Sequence, residues 1–132
     1  MKTHLAILAL SVALLSAAVA PALAHHSFGA EFDREAEFVF TGVVTKIEWL
    51  NPHVYFYMDV QDDAGEYTNW AMEMGSPNGL MRRGWNRNTL MVGDEVTVDG
   101  SKARDGSDKG NAASVTLAES GRSLLTGQNT DN

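Results

Sequence analysis

Val54-Tyr55-Phe56-Tyr57-Met58-Asp59-Val60 decides the fold class. Its apolar members alternate with His53, Tyr55, Tyr57 and Asp59, which is the period of a half-buried strand. Upstream, the run from Phe38 to Trp49 is rich in β-branched and aromatic residues and reads as a long strand. Gly42 inside it predicts a bend or bulge, and Asn51-Pro52 separates the two runs. Downstream, Asp62-Asp63-Ala64-Gly65 makes a turn into a third strand from Tyr67 to Met74. On that strand Trp70, Met72 and Met74 share one face, and Asn69, Ala71 and Glu73 the other.

Ser76-Pro77 then reads as a helix start, a capping hydroxyl followed by proline at the first helical position. Leu80 and Met81 give the short helix an apolar side, and Gly84 can end it in the left-handed conformation. Val92 to Gly100 is a turn feeding an alternating strand, Lys102 to Gly110 a polar hairpin loop, and Ala113 to Leu117 a last strand. Three strands, a short helix and two strands make an all-β protein. The order matches a five-stranded OB-like Greek-key barrel, with a small open β-sandwich as the alternative, because element order does not fix closure.

The first 24 residues have the layout of a secretory signal peptide. Lys2 and His4 lead into the apolar run Leu5 to Ala20, and Ala22-Leu23-Ala24 supplies a small-residue cleavage site. The apolar run is shorter than the roughly 20 residues of a membrane span, and no later stretch approaches that length. The expected organisation is a signal peptide over 1–24, an N-terminal segment over 25–37, the OB-like domain over 38–118 and a flexible tail over 119–132. Cleavage after Ala24 places His25 at the mature terminus; cleavage after Ala22 starts the protein at Leu23. Either product is expected to be exported.

Of the 132 residues, 108 remain after cleavage at Ala24, which suits one small domain. The chain has no cysteine, so disulfides, thiolate ligands and thiol nucleophiles are excluded. Lys2 is the one charged residue that leaves, so the net charge of −7 becomes −8. That field repels phosphate backbones and argues against nucleic acid.

Histidine is scarce. Outside the leader the chain has His25, His26 and His53. An α-amino group ionises near pH ~7.7–8.0, well below lysine, so it yields its proton to a metal readily. A terminal His25 can chelate through its amine and Nδ1, with a third nitrogen from His53 or His26. A nitrogen-rich set of this kind favours Cu(II). Copper is therefore the cofactor these residues suggest. Two histidines after a leader also read as a solvated segment, and His53 as a turn residue. Met58, Met72, Met74, Met81 and Met91 are soft donors, but most occupy periodic apolar positions and read as core.

Two further constellations stand out. Tyr55, Tyr57, Asn69 and Glu73 share the outer face of strands two and three, the usual ligand surface of such barrels, and suit a small ligand or a glycan. Arg82, Arg83, Trp85 and Arg87 form the basic cluster, a candidate site for an anion or an envelope partner, or a complement to a helix dipole. Enzyme motifs are absent: there is no G-x-S-x-G, H-E-x-x-H or phosphate-binding glycine loop. The residues point to a binding or accessory protein, or to a structural envelope subunit.

His25-His26-Ser27-Phe28, Thr41-Gly42, Val44-Thr45-Lys46, Glu48-Trp49, Asn51-Pro52-His53, Asn69-Trp70, Gly75-Ser76-Pro77-Asn78, Arg83-Gly84-Trp85 and Val92-Gly93-Asp94 together resemble a domain-of-unknown-function family of small exported bacterial proteins. The likeness runs from His25 to about Leu124. It implies export to a Gram-negative periplasm, a compact β fold, and His-His-Ser-Phe near the mature terminus. It carries no activity, ligand or catalytic residue, and the chain departs from it in small ways, such as Met at positions where relatives have other apolar residues.

Overall fold

The structure, a computed structural model, describes residues 28–127. The leader, His25 and His26 lie outside the described residues. A single helical turn, α1 (Phe28–Glu31), opens into β1 (Phe32–Glu48), followed by β2 (Tyr55–Gln61) and β3 (Tyr67–Glu73). A short helix, α2 (Pro77–Arg82), precedes β4 (Glu95–Ala103), β5 (Lys109–Leu117) and β6 (Ser123–Leu125). The sheet order is β3-β2-β1-β4-β5-β6, antiparallel except where β3 also pairs with β5. That one parallel contact, Ala71 to Lys109 through Glu73 to Asn111, closes β1, β2, β3, β5 and β4 into a ring of five strands.

β1 is long enough to serve two neighbours. Glu37 to Val43 lies along β4, and Gly42 to Glu48 along β2. The strand begins at Phe32, earlier than the apolar run at Phe38 suggests. Phe32 pairs with Ala103 and is buried, while Arg34, Glu35 and Glu37 of the intervening irregular stretch point to solvent. The expected bulge at Gly42 lies instead between Val44 and Lys46. Gly42 is needed for a different reason. A Cβ there would overlap the carbonyl of Asp59, so only glycine lets β1 come this close to β2.

The ring encloses Val44, Phe56, Met58, Met72, Met74, Val96, Val98, Ala112 and Val115, all essentially without solvent contact. Met58, Met72 and Met74 are thus core residues. Ser76 caps α2 by accepting from the Gly79 N–H at 3.2 Å, Pro77 follows it, and Gly84 takes φ +93°. Leu80 plugs the core. Met81, expected beside it, is half exposed, because six residues of helix offer only one narrow buried stripe.

Within the stretch expected as a flexible tail over 119–132, of which residues up to 127 are described, a short strand joins the sheet. Ser123–Leu125 pairs with β5, and Leu124 and Thr126 are buried. Three residues carry too little periodicity to be recognised as a strand. Donors far along the chain hold this one: Trp85 Nε1–H to Leu125 O at 3.0 Å and the Gly75 N–H to Thr126 O at 3.2 Å. Among the described residues, no helix is long and apolar enough to cross a membrane.

Candidate functional site

Register brings the candidate residues together. Tyr55 faces Glu73 across β2 and β3, and Glu73 faces Asn111 across β3 and β5, with Lys109 two residues earlier on the same side. The α1 turn and the first residue of β1 cover this corner. Phe32 is buried over it, and Glu31 of α1 pairs with the Lys109 ammonium. As a result Glu73, on what reads as an outer face, is only 4% exposed.

Three groups surround the Glu73 carboxylate. The Tyr55 hydroxyl donates to Oε2, Lys109 Nζ lies 3.2 Å from the same oxygen, and His53 Nδ1 lies 3.8 Å from Oε1. Lys109 Nζ also sits 5.3 Å from the ring centres of both Phe32 and Tyr55. Burial, with the hydrogen bond to Glu73 as second cause, pushes the Tyr55 hydroxyl up to about 12. For Lys109, burial works against the charge. Its hydrogen bonds to Glu31 and Tyr55, with the Glu73 charge, outweigh that and hold the ammonium above its usual range. Both folded-state values exceed the unfolded ones, so this stability is full below about pH 10 and fades as pH rises toward 12. Thermal melts across pH 9–12 are expected to show that fall, with a shallower slope in Tyr55→Phe; parallel curves would contradict it.

His53 stands in the β1–β2 connection after the cis Asn51–Pro52 peptide. Its Nδ1 lies 3.1 Å from Met74 O. A carbonyl only accepts, so Nδ1 carries the proton, and a neutral ring has its lone pair on Nε2. Metal-bound histidines are commonly oriented by such a bond. His53 also lines a cavity of about 640 Å³ with Phe28, Ser76, Arg34, Arg82 and Arg83. Phe28 is two residues beyond His26 in the chain.

The other expected site residues are placed differently. Tyr57 donates to Glu48 at 3.0 Å, and Glu48 is held by Lys46 at 2.6 Å. Asn69 bonds Asp59 and Thr45 at the exposed end of the sheet. The four-residue face thus divides into a covered half, Tyr55 and Glu73, and a second half, Tyr57 and Asn69, whose polar groups are bonded to Glu48, Asp59 and Thr45. Trp85 is a correction to the basic cluster. It is buried with the core, its indole N–H spent on β6. Arg87 points away, its guanidinium 6.0 Å from the Trp49 ring, leaving Arg82 and Arg83 at the cavity. Lys109 and Arg34 escape sequence reasoning because nothing local marks them; the parallel β3–β5 contact and the fold-over of β1 put them in place. Among the described residues, no three His, Asp or Glu side chains are placed to hold a metal ion.

A family model described as a family of unknown function (DUF6152) matches residues 12–112, well over half the chain and a span that includes His25, His53 and Arg83. The chain belongs to the DUF6152 family. The match ends within β5, before β6. No curated protein and no solved structure matches this DUF6152 chain.

Proposed function

We propose that this DUF6152 protein is an exported accessory protein that captures Cu(II) at its mature amino terminus, on an OB-like Greek-key barrel. The barrel reading is supported by ring closure through a parallel β3–β5 pair and by a helix between β3 and β4. In such barrels the β1–β2 loop, where His53 lies, is a usual ligand position.

The observation that carries the copper reading is the cavity that Phe28 and His53 share. Three residues of chain reach at most about 11 Å, a length that would let a terminal His25 approach the cavity that Phe28 lines. The ligand set is the His25 amine and Nδ1 with Nε2 of His53, His26 assisting. The bond from His53 Nδ1 to Met74 O orients the ring for that role.

The test is Cu(II) titration of protein beginning at His25. A stoichiometric, sub-micromolar complex with nitrogen hyperfine structure in its electron paramagnetic resonance spectrum is expected. His53→Ala should weaken it by at least roughly 10-fold and remove one nitrogen from the spectrum, and one added residue ahead of His25 should also weaken it sharply. Unchanged affinity in both variants would sink the reading. Mass spectrometry of the secreted protein fixes its first residue.

A further inference from the structure

The cavity beside His53 is inverted in charge relative to the chain. The sequence has 17 acidic residues against 10 basic, yet the lining contains Arg34, Arg82 and Arg83 and no carboxylate among the described residues. Arg82 and Arg83, at the end of α2, could be dismissed as complements to a helix dipole. Arg34 cannot. It comes from β1, and its guanidinium stands 5.1 Å over the Phe28 ring at the cavity's edge.

The walls between these side chains are thin. Gly75 and Gly127 line the cavity with backbone alone, and neither can be enlarged. A Cβ on Gly75 would press on Thr126 O, and one on Gly127, at φ +91°, would press on the Arg83 guanidinium. A volume of about 640 Å³ is that of a small-molecule site. Guanidinium groups from two elements can each present a fork of N–H donors to one oxyanion.

We infer that this cavity binds a small multivalent oxyanion, gripped by Arg34 and Arg82 with Arg83. The inference rests on described residues and goes beyond copper capture.

Calorimetric titration of the metal-free protein with citrate and, separately, inorganic phosphate tests it. Saturable one-to-one binding of either probe is expected, citrate alone marking a carboxylate ligand and phosphate alone a phosphoryl one. Arg34→Gln and Arg82→Gln should each weaken it by at least about tenfold, and Arg122→Gln, at a residue that does not line the cavity, should not. No binding of either probe, or equal binding by the Arg34 and Arg82 variants, would overturn it. Copper affinity in an anion-free, non-coordinating buffer decides the copper reading separately.

Discussion

Gly100→Ala is expected to destabilise the protein by about 3 kcal/mol, at the upper end of over-packing costs, and to lower Tm by roughly 10–20 °C. A Cβ at Gly100 would fall on the carbonyl oxygen of Asn111, a backbone atom of the adjoining β5, which no rotamer change can move aside. The Phe38 ring crowds the same point and also covers Gly110, where a Cβ would strike both that ring and Met72 Sδ. The β4–β5 register shift between Asp99 and Gly100 lies here too. Relief would need β4 to part from β5 next to the closing contact of the ring. Gly106→Ala is the control: it has positive φ but open space around it, and should cost only about 1 kcal/mol. Equal melting temperatures for the two variants would show that Gly100 is not a close-approach position.

Lys109→Met is expected to cost about 2–3 kcal/mol, below the usual figure for breaking a buried pair, because Tyr55 still donates to Glu73. The loss comes chiefly from Glu73, a carboxylate 4% exposed that would lose its cation. The bond from Lys109 to Glu31 goes as well, so α1 loses a tether. Glu73→Gln in the Lys109→Met background should recover most of the stability, a non-additivity expected of direct partners. Strictly additive urea-denaturation values would rule out the proposed coupling.

Strand positions, the helix start at Ser76-Pro77 and the apolar faces were legible because each is written in a local period. Phe56, Met58, Met72 and Met74 fall on alternate positions, and alternate positions face one side of a sheet. β6 was not legible, since three residues define no period. Trp85 looked like part of a basic patch because its sequence neighbours are arginines, whereas its burial depends on β6, 40 residues away. Tyr55 and Glu73 are register partners across β2 and β3, but nothing local shows that Phe32 covers them.

Sequence by itself determined β1 to β5 in outline, the short helix, the absence of thiol chemistry and the scarcity of histidine. Tertiary structure decided the ring closure, the burial of Glu73 beside Lys109, and the meeting of Arg34 with Arg82 and Arg83 around His53. The reason is one of range. Periodicity and capping act over a few residues, whereas the β3–β5 contact and the fold-over of β1 join residues tens of positions apart, and only the packed chain selects those pairs.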